Sequence, residues 1–279
     1  MGARRGDDTE FAWVNDRPGS VQDEVNRRVY SSPRLVRAYA RRKLSPAERV
    51  VFERYADSFE GRRVLELGCG AGRLTGHLLQ ASRDVVGIDV SAAMVTYCRR
   101  NLPAGTFVVG DMRDLSGFAD GSFDVVVAGA NVLDAVSHEE RLAILAAIRR
   151  VLRPGGLLYF SSHNRHSKQA LGEARDGPRF RLARNPYRQM RAAANYVQGR
   201  LNHPRFARYQ RFEVDHAILN DEAHGWRLLH YYVDRDAQAD QLASCGFDPL
   251  ETIGGDGKTL GARDDDAAFT ELHYIARSR

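Results

Sequence analysis

Three stretches of the chain set a carboxylate beside glycine or at the end of an apolar run: Glu66-Leu67-Gly68-Cys69-Gly70-Ala71-Gly72, Gly87-Ile88-Asp89-Val90 and Val109-Gly110-Asp111-Met112. Glycine lets the backbone turn sharply and come close to a ligand. A carboxylate can accept from two hydroxyls at once, which suits a ribose. A dinucleotide fingerprint, G-x-G-x-x-G, would need glycine at position 73 or 75, where Arg73 and Thr75 stand. The chemistry is therefore that of a nucleoside-like ligand held without dinucleotide spacing. A second group, which holds the candidates for a general base, falls where the strand ends should converge: His163 and Asn164, Asn131 and Asp134, and His230, Tyr231 and Tyr232. Of these His163 is the first candidate for a general base. His230 and Tyr231 follow, and because adjacent strand residues face opposite ways, only one of the two can point at a common site.

Positioning these groups requires strand ends. Short apolar runs rich in Val, Ile and Leu, at 63–67, 84–88, 106–109, 123–128 and 157–161, alternate with amphipathic stretches. This is the pattern of a parallel sheet covered by helices on both faces. Two capping boxes, Ser45-Pro46-Ala47-Glu48 and Ser137-His138-Glu139-Glu140, start helices, and Pro154-Gly155-Gly156 stops the second. The rhythm breaks after Ser162 and resumes near Leu228, so a cap interrupts the sheet. The predicted fold class is α/β: a doubly wound, seven-stranded, mainly parallel sheet with an N-terminal helical lid and a cap inserted after the fifth strand. The expected division is a flexible arm over 1–20, a helical lid over 21–60, a ligand-binding core over 61–162, a basic cap over 163–227 and the C-terminal part of the sheet over 228–279.

From Arg63 to Phe160 the acid-x-G-x-G-x-G segment and the ordered acids that follow resemble the class I S-adenosylmethionine (SAM) dependent methyltransferases of small-molecule type. The resemblance implies SAM as cofactor and S-adenosylhomocysteine (SAH) as product. It implies cofactor contacts from Glu66, Gly68, Cys69, Gly70 and Gly72, from Asp89 to the ribose, and from Val90, Met94 and Ala128. Asp111 and Met112 fall where the family reads adenine. Tyr30 and Tyr39 are placed to reach the cofactor from the lid, and Asn131, Asp134, Asn164, Arg181 and Arg184 to meet the substrate. Methyl transfer from a sulfonium is an in-line displacement, so the protein supplies alignment and desolvation, and a base only where the acceptor must lose a proton.

Charge narrows the partner. From Arg165 to Arg211 twelve Lys or Arg stand against two acids, a local balance of +10 in a chain of net charge +5. An anionic small metabolite fits that cap, and RNA is the alternative partner. A SAM-binding partner protein without activity is the third reading. The three cysteines show neither metal-ligand nor paired spacing, so no metal is expected. The first ten residues lack the apolar core of a signal peptide and no run is long enough to span a membrane. The expected protein is cytoplasmic, with no membrane partner, and is a monomer or homodimer.

Overall fold

The computed structural model describes residues 22, 26, 29, 30, 36–180, 182 and 184–279. The predicted strands form β1 (Val64–Leu67), β2 (Val85–Asp89), β3 (Thr106–Val109), β4 (Phe123–Ala128) and β5 (Leu152–Asn164). They pair in parallel in the order β3-β2-β1-β4-β5. Buried Val, Leu and Ile from both strand faces feed two apolar layers, one around Leu65, Val126 and Phe160 and one around Val64, Val125 and Tyr159. Such two-sided burial is why these strands read as continuous apolar runs rather than alternating ones.

The helices that cover the sheet begin where their caps predict. Ser45 and Ser137 each accept from the backbone of Glu48 and Glu140, whose carboxylates return the bond, and so start α2 (Pro46–Arg54) and α6 (His138–Val151). Between them run α3 (Ala56–Phe59), α4 (Thr75–Ala81) and α5 (Ala92–Asn101), and α1 (Val36–Ala40) precedes them. Tyr55 leaves helical geometry and so divides the stretch that begins at the Ser45 cap into α2 and α3. Gln22, Asn26 and Tyr30 are helical as well.

Strand β5 is longer than predicted at its C-terminal end, and the extension matters. β10 (Glu271–Ser278) runs antiparallel along one edge of β5 as far as His163, and β9 (Phe247–Gly254) pairs with β10. On the opposite edge β4 stops at the Ala128–Phe160 pair. The vacated edge is taken by β8 (His230–Val233), through His163↔Tyr232 and Asn164↔Val233. β7 (His216–Leu219) and β6 (Arg211–Phe212) continue from it as an antiparallel hairpin from the cap. The expected seven strands are thus β3-β2-β1-β4-β5-β10-β9, with β8, β7 and β6 forming a wall beyond the end of β4. The cap also carries α7 (Lys168–Asp176) and α8 (Pro186–Ala207), and α9 (Arg235–Ser244) leads from β8 to β9.

Candidate active site

The glycine loop leaves β1 with Gly68, Gly70 and Gly72 all at positive φ, where a side chain is strained. At Gly68 the demand is also steric, since an added Cβ would stand 2.3 Å from Val132 Cγ2. At Gly70 it would meet nothing nearer than Tyr39 at 3.9 Å, so the space above this residue is open to a ligand. Gly72 instead faces Leu102 and Cys98 and contributes a packing contact rather than a ligand contact.

Asp89 ends β2 beside this loop. Its Oδ2 accepts from Gly70 N at 2.8 Å and its Oδ1 from Ser91 N at 2.8 Å. A carboxylate has roughly four lone-pair sites, so two acceptor positions remain after those bonds. Burial raises the Asp89 carboxyl above its ordinary range, against the two backbone bonds that lower it. Glu66 is fully enclosed, with Thr75 Oγ1 donating to it at 2.5 Å. Burial pushes its carboxyl up to about 8, outweighing Thr75 and the nearby Arg73. Arg73 is held in turn by Glu48 at 2.5 Å, which ties α2 to the glycine loop.

A single cavity joins these groups. Its wall includes Glu66, Gly68, Cys69, Gly70, Asp89, Val90, Met94, Asp111 and Met112, with Tyr30, Tyr39, Asn26 and Arg42 closing it from the lid side. Of the predicted cofactor contacts only Gly72 and Ala128 lie off this wall. Ala128 is wholly buried in the core beneath it, because the chain turns into the cavity only after β4 has ended. Arg113 was not anticipated: it grips Asp111 with Nε at 3.0 Å and Nη2 at 2.5 Å and reaches Glu140 at 3.0 Å. Asp111 therefore comes with its own counter-ion two residues away, a spacing that carries no signal by itself.

Behind Tyr30, which lines the cavity, stand His230, Asp221 and His163, off the cavity wall themselves. Tyr30 Oη and His230 Nε2 are 2.9 Å apart, and His230 Nδ1 lies 2.6 Å from Asp221 Oδ2. The carboxylate takes the Nδ1–H and leaves Nε2 to accept from the phenol. The His163 ring stacks on His230 at 4.8 Å and is held through Nδ1 by Asp134 Oδ2 at 2.7 Å. Burial alone would lower the His163 pKa, but the Asp134 hydrogen bond and charge raise it. Asp221 is held below the usual carboxylate range despite its burial, by His230 first and His163 after it. Tyr30 is pushed well above the phenol range by burial and by neighbouring Tyr39, Asp221 and Asp134.

Several expected roles change. Asp134 is not a substrate contact: wholly buried, it accepts from Arg141, from Ser162 Oγ and from His163 N, and so fixes the ring of His163. Asn164 is likewise an anchor, donating to the carbonyls of Asp266 and Phe269. Asn131 adopts a left-handed conformation with Ala130, and its Nδ2 donates to Glu271 at 2.9 Å rather than lining the cavity. Tyr231 points to the other face of β8, where its hydroxyl meets His138 Nδ1 at 2.7 Å and Gln241. Arg184 is exposed and off the cavity wall, and Arg181 lies outside the described residues. Asp221 belongs to no motif and sits nine residues from its partner His230, so it is recognisable only in three dimensions. Among the described residues two clusters could hold an ion by proximity, His163–Asp221–His230 and His138–Asp215–His216, each with ligand-capable atoms within 4.8 Å.

Residues 64–156 match the family model described as methyltransferase domain. This segment is a class I methyltransferase domain. The chain is 36% identical over 97 residues, 35% of its own length and 45% of the relative's, to an uncharacterized methyltransferase of Synechocystis. It is 36% identical over 124 residues, 41% of its length and 44% of the relative's, to a fatty-acid O-methyltransferase of Mycolicibacterium smegmatis. The chain spans about half the length of the curated relatives it matches. The methyltransferase fold itself extends over nearly the whole chain. A Burkholderia thailandensis 1,6-didemethyltoxoflavin-N1-methyltransferase structure superposes with a TM-score of 0.56 at 18% identity, covering 95% of this chain and 93% of that one. A Clostridium acetobutylicum S-adenosylmethionine-dependent methyltransferase gives a TM-score of 0.57 at 13% identity, covering 91% and 98%.

Proposed function

We propose that this chain transfers a methyl group from SAM to a small molecule, at a site that ends on the phenol of Tyr30. The observation that carries the reading is the single cavity running from Asp89 and the open backbone of Gly70 to Tyr30. The residues fit SAM by their donor set. Asp89 has acceptor capacity for two ribose hydroxyls, Gly70 leaves room for close approach, and Glu66 is a buried carboxyl that an approaching ammonium would return to its charged form. SAM supplies, when bound, an activated methyl on a sulfonium. Everything else is alignment and proton handling by the chain's own side chains.

Where the acceptor carries a proton, Tyr30 Oη receives it while passing its own proton to His230 Nε2. Asp221 steadies the resulting imidazolium through Nδ1. Tyr30 is thus the catalytic residue, and His230 and Asp221 position and charge it; His163, first in rank from the sequence, packs against that pair instead. Three arginines line the cavity; Arg73 and Arg113 are engaged by Glu48 and by Asp111 with Glu140, and Arg42, stacked 4.6 Å over the Tyr39 ring, is the one that would favour an anionic acceptor. The fatty-acid O-methyltransferase among the relatives accords with a carboxylate acceptor, for which no base is required.

Calorimetric titration with SAH tests the reading. The wild-type chain is expected to bind at one site, and Asp89→Ala to weaken binding by at least about tenfold through loss of two charge-assisted hydrogen bonds. Absence of binding at millimolar SAH to a folded wild-type chain sinks it.

A further inference from the structure

The longest helix of the cap, α8, has no role in the site above, and its surface is of an unusual kind. Its inward face carries Ala192, Tyr196, Gly199 and His203, with Gly199 buried against Trp226 and Pro178. The opposite face holds Tyr187, Met190, Ala194, Val197 and Leu201, whose spacing alternates between three and four residues and so keeps them on one line. The large ones are left bare: Tyr187 is 75% exposed, Met190 73%, Val197 55% and Leu201 73%. Solvent-facing helix surfaces ordinarily carry polar side chains, so an apolar stripe turned outward marks a contact.

Charge says what kind of contact. From Arg184 to Arg211 the sequence holds seven arginines and no Asp or Glu. At 3.6 residues per turn Arg191 and Arg200 flank the apolar line on either side, where their stems can lie along it and their guanidinium groups reach outward. Leu182, 87% exposed, precedes the helix and adds to the apolar surface. A second copy of the chain is a poor occupant, because pairing two such faces brings arginines together with no acid to offset them. Nucleic acid would answer the charge but leaves Met190, Val197 and Leu201 in water, since aliphatic side chains give bases no stacking platform.

We propose that α8 lies flat in the surface of an anionic lipid bilayer, with Tyr187, Met190, Val197 and Leu201 among the upper acyl chains and the flanking arginines on lipid phosphates. This is peripheral binding. No helix among the described residues is long and apolar enough to cross a membrane. The inference is independent of the methyl-transfer reading, since none of these residues lines the cavity.

Vesicle co-sedimentation of the full chain tests it, comparing phosphatidylcholine vesicles with vesicles that also contain phosphatidylglycerol. The expected result is partitioning at least about tenfold stronger to the anionic vesicles. The triple variant Met190→Gln, Val197→Gln, Leu201→Gln leaves the charge unchanged and is expected to abolish it. Arg191→Gln with Arg200→Gln should weaken it by about tenfold. These side chains point into solvent, so unchanged thermal unfolding of the variants confirms that only the surface was altered. The proposal is overturned if wild-type chain stays in the supernatant with both vesicles. It is equally overturned if the apolar variant binds as well as wild type, which makes the attraction purely electrostatic, with RNA the better occupant when single-stranded RNA competes. A concentration-dependent dimer that the apolar variant abolishes, without vesicle binding, assigns the face to a second copy instead.

Discussion

At the scale of single residues the site is governed by which groups are denied solvent. Tyr30 is a phenol whose burial holds it protonated, so it can accept a proton only as it gives one up, and His230 at 2.9 Å is placed to take it. Tyr30→Phe removes that path while leaving the ring in place. On an acceptor hydroxyl or amine, kcat is expected to fall about a hundredfold, whereas SAH affinity stays within about threefold. On a carboxylate acceptor neither should move. An unchanged kcat for a hydroxyl acceptor would falsify the relay. The sequence alone ranked His163 as the base because it follows a strand end; the structure gives its Nδ1 to Asp134 and its ring to His230, so it buttresses rather than meets the acceptor.

At the scale of elements, the wall formed by β8 exists because β4 ends early. Ala130 and Asn131, consecutive residues in left-handed geometry, carry the chain away after Ala128, and the freed edge of β5 is filled by β8. That junction is fastened by the ion pair of Arg141 and Asp134, both completely buried, at 2.5 Å. Arg141 also reaches Ser162 on β5 and Gln238 on α9, so one guanidinium joins four elements. Arg141→Ala should cost about 3–5 kcal/mol, because it strands a buried carboxylate. Denaturant unfolding measures this, and a loss under about 1 kcal/mol would show that the junction stands without the pair. Asn26 makes a smaller join of the same kind, bridging the carbonyls of Ala135 and Leu229 and so latching the lid to the wall.

For the molecule as a whole, opposed titrations set the pH of greatest stability. Glu66 has a folded pKa of about 8, above the ordinary carboxylate value. It binds its proton more tightly folded than unfolded, and stability is lost as pH rises from about 4.5 through about 8. His163, raised above 6.5, acts in the same direction: its contribution is full below that value and is lost as pH climbs through the folded pKa. His224 does the reverse, since burial and His230 bring it down to about 4, so stability grows as pH rises from there to 6.5. Glu271, held down to about 2, acts in the same sense as His224: its contribution is full above about 4.5 and is lost as pH falls from there towards 2. The thermal midpoint is expected to peak near pH 6 and to decline towards pH 8.5, with Glu66→Gln flattening that alkaline limb. A midpoint still rising at pH 8 contradicts these assignments.

What could be read directly from the sequence was local. The strand runs, the two capping boxes and the acid–glycine spacing depend on neighbours in the chain, and β1 to β4 and α6 lie where those signals put them. They were enough to bring Glu66, Gly68, Gly70 and Asp89 to one cavity wall, because all four are set by strand ends close in sequence. The surroundings of Tyr30 and His230 were decided by tertiary structure. Asp134 and Asn164 have the residue types of substrate contacts, and only their burial against Arg141 and the 266–269 loop makes them anchors. Asp221 reaches His230 across a cap whose return path no periodicity encodes. The basic charge of the cap was visible in the sequence, but its meaning was not. A row of apolar residues on a helix predicts burial, and it took the fold to show that on α8 this row faces out.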